Sequence, residues 1–486
     1  MSPISVVGVI AAYFSLLVYI SFKTSKGANN ESFFIGNKNS PWYLVAFGMI
    51  GTSLSGVTFI SVPGWVQSSQ FSYMQMVLGY LFGYSVIALV LLPLYYKLNL
   101  TSIYTYLEKR LGFWSYKTGA FYFLLSRLVG ASFRLYLVAN VLQLAVFDAW
   151  NIPYWLTVAI TILLIWVYTF KGGIKTIVWT DSLQTFFMLL AVGITIYSIN
   201  SQLNFDFNSM VDSIKTSEYS KVFFFDDWRA DTYFWKQFLG GVFISIVMTG
   251  LDQDMMQKNL SCRNIREAQK NMFSFSLVLV FVNLFFLCLG ALLFIYSNAN
   301  GIEIPSQTDD LYPLLAIQGY LGPLVSIFFI LGLIAAAYSS ADSALTALTT
   351  SVCIDFLSLE NKPEPIQTRI RRQVHIIMSV LLFVTILIFN VINNDSVISS
   401  LFKAAGYTYG PLLGMFAFGL YVKRKVNDKL VPLICFVSPF VTYILNEFSI
   451  QLFNGYKFGF EIILLNGFLA FMGLLLISKK EKIIVF

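Results

Sequence analysis

Ser339, Ser340, Asp342 and Ser343 sit together in an otherwise apolar stretch of this chain. Positions 339, 342, 343 and 346 follow i, i+3, i+4, i+7 spacing, which puts their side chains on one helix face. Hydroxyl and carboxylate oxygens are ligands for a hard cation. Serines bonding back to their own helix would account for Ser339 and Ser340. They would not account for Asp342, because a carboxylate at membrane depth costs about 2.5–3.5 kcal/mol and calls for a partner. Asp342 lies toward one end of the stretch, where water or a lysine is the alternative partner. A second such set is Thr176, Thr180, Asp181 and Ser182. Here the alternative is a carboxylate placed to complement a helix dipole.

A third stretch, Gly48 to Thr58, carries three glycines and four hydroxyl residues, and Pro63-Gly64 follow. Backbone that unwinds at membrane depth is tolerated only where it lines a cavity or is buried in protein. Its freed carbonyls can hold a cation. Close packing of helices through small residues is the competing account. Gly240-Gly241 and Thr249-Gly250 interrupt a later stretch in the same way.

These groups need elements to carry them, and the composition says which. Of 486 residues, 57% are hydrophobic and 12% charged. A soluble domain carries about 25% charge. The apolar residues fall into runs of about 20, the length that crosses roughly 30 Å of hydrocarbon. Thirteen spans are expected, and they are numbered 0 to 12 in chain order. Spans 1, 5, 6 and 8, at 42–64, 176–199, 233–250 and 323–350, carry the polar groups. The interrupted spans 1 and 6 are five apart, which points to two inverted halves of five helices.

Of the 32 Lys and Arg residues, 24 fall in the loops after even-numbered spans and in the tail. Five lie opposite (Lys215, Lys221, Arg229, Lys236 and Lys457), and Arg127, Arg134 and Lys403 lie within spans. Cytoplasmic loops collect basic residues, so the N-terminus is expected outside and the C-terminus inside. The net charge of +7 is thus a matter of orientation, with no nucleic-acid partner implied. The single histidine, His375, lies beside Arg371 and Arg372, which argues against a Ser-His-Asp triad or a histidine metal site. The four cysteines form no ligand spacing. A membrane enzyme is therefore not expected.

Three stretches resemble the sodium:solute symporter family. They are Thr169 to Asp181 with Gly172-Gly173, Gly250 to Ala268 with Gln253, Gln257 and Lys258, and the Ser339-Ser340 pair. The resemblance runs along nearly the whole chain. It implies an all-α membrane protein of the leucine-transporter type, with a 5+5 inverted repeat and extra helices. The implied division is 1–41, a first repeat at 42–199, an outer loop at 200–232, a second repeat at 233–421, and 422–486. It also implies sodium-coupled symport of a small organic solute across the inner membrane. An uncoupled or proton-coupled transporter, or a sensor, is the alternative on the same fold. The principal Na+ site would use the carbonyls of Gly51, Leu54 and Ala336 and the hydroxyls of Ser339 and Ser340. A second Na+ would use Asp181, Asp342 and Ser343 with Ser339, and Ser53 nearby. Solute contacts would come from Ser55, Gly56, Thr58, Tyr73, Arg134, Phe243 and Val247. The partners are the solute and the bilayer, and no oligomer is required.

Overall fold

In this computed structural model, the description covers residues 3–24, 40–100, 102–359, 362–392 and 397–480. Gly172 and Gly173 fall in 167–175, whose side chains lie outside the described residues. Among the described residues, eight helices are long and apolar enough to cross a membrane: spans 0, 2, 3, 5, 7, 8, 9 and 11, at Ile4–Thr24, Tyr73–Lys97, Phe113–Trp150, Thr176–Gln202, Ile265–Ala299, Pro323–Phe356, Glu364–Ile392 and Asp428–Glu447. Spans 1 and 6 are bent pairs, and spans 4, 10 and 12 hold the shorter apolar helices Tyr154–Trp166, Gly410–Tyr421 and Ile462–Leu476. Together they occupy the thirteen expected positions.

Both interrupted spans are broken helices. Span 1 is Trp42–Ser53 and Gly56–Ser69, bent by 54°. Span 6 is Phe234–Gly250 and Gln253–Leu260, bent by 65°. The first break falls at Leu54 and Ser55, while Pro63 lies inside the second half-helix. Among the described residues, no backbone N–H is bonded to the carbonyls of residues 51–54. The second break follows a π-helical turn, Ile246–Gly250. Asp252 restarts the helix as its N-cap, accepting from the amides of Asp254 and Met255 at 3.0 and 3.3 Å. A carboxylate there satisfies amides that have no partner within the helix.

Span 8 (Pro323–Phe356) is the hub, 78% buried over its most apolar window, against 28%, 28% and 22% for spans 0, 9 and 11. Those outer helices keep exposed apolar residues such as Ile4, Val391 and Phe436, as a lipid-facing surface must. Spans 2 and 6 cross so closely that glycine is required. A Cβ on Gly241 would lie 2.1 Å from the carbonyl oxygen of Met76, and one on Gly79 would lie 2.2 Å from that of Phe238. The segment 200–232 forms a short helix, Phe207–Thr216. It is then tied to the start of span 2 by Phe71 N–Lys221 O and Phe224 N–Gln75 Oε1, at 3.1 and 3.0 Å.

Candidate functional site

The break in span 1 lies against span 8. The Ser340 hydroxyl donates to the freed carbonyl of Thr52 at 3.4 Å. Ala336 and Ser340 are one helical turn apart, so they share the face that meets the break. The Ser339 hydroxyl turns to span 5 and donates to Asp181 Oδ1 at 2.8 Å. Freed carbonyls at 51–54, backed by Ser339 and Ser340, form a set of neutral hard oxygens, which suits Na+.

Next to it lies the other expected cation position, around Asp181. That carboxylate is fully buried. Its Oδ2 accepts from Thr52 Oγ1 at 3.0 Å and pairs with the Lys258 ammonium at 2.7 Å. Lys258 also bonds Ser343 Oγ at 2.9 Å and Thr52 Oγ1 at 2.5 Å. Asp342 is buried too, with Oδ1 at 2.5 Å from the amide of Ser343. Asp181, Ser339 and Ser343 thus come together as expected. They do so around a cation that belongs to the chain, which the sequence reading had counted among loop charges. Lys258 is 1% exposed and stands on the second half-helix of span 6, Gln253–Leu260.

A cavity of about 80 Å³ opens above the breaks, lined by Ser53, Leu54, Ser55, Thr58, Tyr73 and Arg134, among others. Four of the residues expected to contact the solute thus line it: Ser55, Thr58, Tyr73 and Arg134. Gly56, Phe243 and Val247 do not line it. Gly56 packs toward Val138 of span 3. Span 6 presents Ile244, Ser245, Met248 and Thr249 instead. The offset is one residue, a rotation of about 100° around a helix axis. Asn283 of span 7 also lines the cavity, and its Oδ1 has no hydrogen-bond partner. Its signal was a lone amide in the apolar run from Leu277 to Leu287.

The two span 3 arginines differ sharply. Arg127 pairs with Asp254, and its Nη1 lies 3.8 Å from Asp252 Oδ2. The Tyr409 hydroxyl donates to that same oxygen at 2.8 Å. This network closes the cavity toward the basic face. Among the described residues Arg134 makes no ion pair, and its Nε has no hydrogen-bond partner although it is buried. Toward the opposite face four rings form a lid. Trp65–Tyr73, Tyr73–Phe402, Phe402–Phe460 and Trp65–Phe460 have centroids 6.0, 6.3, 5.0 and 5.9 Å apart. Beyond the lid is a vestibule of about 520 Å³ reaching Asp231, Asp309, Lys403 and Lys457.

A central cavity beside the breaks of two interrupted helices, next to a cluster of buried hard oxygens, is the arrangement found in secondary active transporters. The model of the sodium:solute symporter family matches residues 33–429, and the chain belongs to that family. It is a sodium-coupled symporter, not an enzyme. It is 27% identical to the sodium/sialic acid symporter of Proteus mirabilis (strain HI4320), over 86% of this chain and 84% of that one. It is 25% identical to the human sodium/iodide cotransporter, over 81% of this chain and 61% of that one. A solved substrate-bound, outward-open Na+-coupled sialic acid symporter superposes with a TM-score of 0.82 at 20% identity. That match covers 98% of this chain and 99% of the other. The fold is therefore the leucine-transporter type expected.

Proposed function

We propose that the chain carries a small carboxylate-bearing organic solute inward across the inner membrane with Na+. The observation that supports this is Arg134, a guanidinium buried at the central cavity with no acidic partner among the described residues. A buried charge without a partner is costly, and a carboxylate can meet a guanidinium with two parallel hydrogen bonds. Asn283 Oδ1 and the hydroxyls of Ser55, Thr58 and Tyr73 would bond the solute's polar groups. The relatives named above carry sialic acid and iodide, both anionic, and the human sodium-coupled monocarboxylate transporter 2 is a further relative at 23% identity. Sodium would bind at the carbonyls of Gly51, Leu54 and Ala336 and the hydroxyls of Ser339 and Ser340. The basic loops support a C-terminus in the cytoplasm and an N-terminus in the periplasm; reporter fusions at each end test that placement.

The solute test uses proteoliposomes with an imposed inward sodium gradient. Monocarboxylates and sugar acids are offered beside their neutral amides and alcohols. Carboxylates alone are expected to accumulate. Arg134→Gln removes a buried charge-assisted pair worth about 2–5 kcal/mol, so half-saturation should rise by roughly 30-fold or more. Sodium-driven uptake of the neutral analogues with Arg134→Gln unimpaired would refute the reading.

A further inference from the structure

The oxygens around Asp181 have the composition of a monovalent cation site: one carboxylate, the hydroxyls of Thr52 and Ser343, and Ser339 bonded from behind. They come from spans 1, 5 and 8. Into them reaches a side chain from the second half-helix of span 6. An ammonium has three protons and no acceptor, and Lys258 has three acceptors here, Asp181, Thr52 and Ser343. Its charge balances that of Asp181. A free cation entering the same oxygens would have to displace the ammonium or sit against a like charge.

We propose that Lys258 is a tethered cation that fills the second cation position, so that the chain binds one Na+, at the junction of spans 1 and 8. The tether runs from the half-helix beyond the 65° bend of span 6. Lys258 therefore pins that half-helix to the oxygen cluster, as a mobile ion cannot. Ser339 links the two positions, because its hydroxyl proton goes to Asp181 and leaves the oxygen lone pairs for the principal ion. For a solute with one negative charge, one Na+ per cycle moves no net charge. Accumulation would then follow the sodium gradient alone and not the membrane potential. The inference rests on sodium coupling and not on the identity of the solute.

The test counts ions without any solute. Equilibrium binding of radioactive ²²Na+ to the purified full-length chain is expected to saturate at one ion per chain. Lys258→Met leaves Asp181 uncompensated and the oxygens open, and it should saturate at two. Adding Ser343→Ala to that variant should return the count to one. Lys258→Arg keeps a tethered cation and should stay at one. Lys258→Gln, neutral but polar, repeats the Met test if the apolar variant does not fold. Two ions on the unaltered chain would overturn the proposal, whatever the variants do. So would a single ion on folded Lys258→Met or Lys258→Gln. Failure of the Arg134 reading would leave all these counts unchanged.

Discussion

Replacing Arg127 by Met should loosen the seal on the basic side of the cavity. Arg127 is 4% exposed, and its guanidinium faces Asp252 and Asp254, both fully buried. Removing one partner of a buried pair costs about 3–5 kcal/mol, because the remaining charge stays buried. Asp252 keeps the Tyr409 hydroxyl and two helix amides, while the other oxygen of Asp254, Oδ1, has no partner even now. The loss therefore falls mainly on the closed arrangement, where these carboxylates are dry. If an open arrangement lets water reach them, its population relative to the closed one rises by about a hundred- to a few-thousand-fold, at tenfold per 1.4 kcal/mol. Cys262 is a native reporter. It is fully buried, two residues beyond the second half-helix of span 6, and its carbonyl accepts from Tyr96 at 3.2 Å. With Cys262 as the sole cysteine, maleimide labelling in membranes should be slow in the parent and at least tenfold faster in Arg127→Met. Arg127→Lys, which keeps the charge, should lie between. An unchanged labelling rate in a folded Arg127→Met protein would refute the argument that this pair holds the seal.

Ser340→Ala should raise the sodium concentration for half-maximal uptake severalfold. Ser339→Ala should raise it further, because Asp181 also loses a donor; unchanged sodium dependence in both would remove these hydroxyls from the site. Tyr73→Phe loses the 3.2 Å bond to Tyr80 and a hydroxyl at the cavity, so solute half-saturation should rise by about tenfold at most with sodium half-saturation unmoved; equal shifts in both would indicate a packing role. Gly241→Ala should sharply lower the yield of folded protein, since its Cβ would meet the Met76 backbone at 2.1 Å; a normal thermal midpoint would show that the spans 2 and 6 crossing can relax. Asp309, in the loop before span 8, is held above the ordinary carboxylate range by burial. Its protonated form is thus favoured on folding, a contribution fully present below the ordinary range and lost as pH rises through the raised value. Thermal midpoints of the parent should fall across that window, and Asp309→Asn should flatten the profile.

Length and apolarity made the thirteen spans legible, because a run of about 20 apolar residues has few other uses. The break in span 1 was legible from its glycines and hydroxyls, while the meeting of Asp181 with Ser339 came only from the family resemblance. Lys258 was not. A hydropathy reading ends span 6 at Gly250, and the polar octet Gln253–Leu260 then counts as loop. It is a fully buried half-helix, and only tertiary packing makes it one. The difference between Arg127 and Arg134 was equally out of reach. Both are arginines in one apolar helix, seven residues apart. What separates them is two aspartates more than a hundred residues away, brought to Arg127 by the bend in span 6. The error at Phe243 and Val247 has a local cause, since a one-residue misplacement in register turns a whole helix face away from the cavity.

The cavity's two seals are built from different physics. On the vestibule side four aromatic rings meet edge to face or tilted, and such pairs are worth about 0.5–1.5 kcal/mol each beyond their burial. Rotating one ring, that of Tyr73 or Phe402, breaks two of the four contacts and exposes no charge. On the basic side opening must part Arg127 from Asp254, at a cost several times larger unless water enters at once. Lys258 adds a second ionic tie between the moving half-helix and spans 1, 5 and 8. The vestibule side is therefore the easier one to open in the resting chain. Opening the basic side requires the ionic ties to be exchanged for other partners. The bound solute and ion are placed to bias that exchange: Arg134 stands about two helical turns from Arg127 on the same helix face and lines the same cavity, and Ser339 is bonded to the carboxylate that holds Lys258.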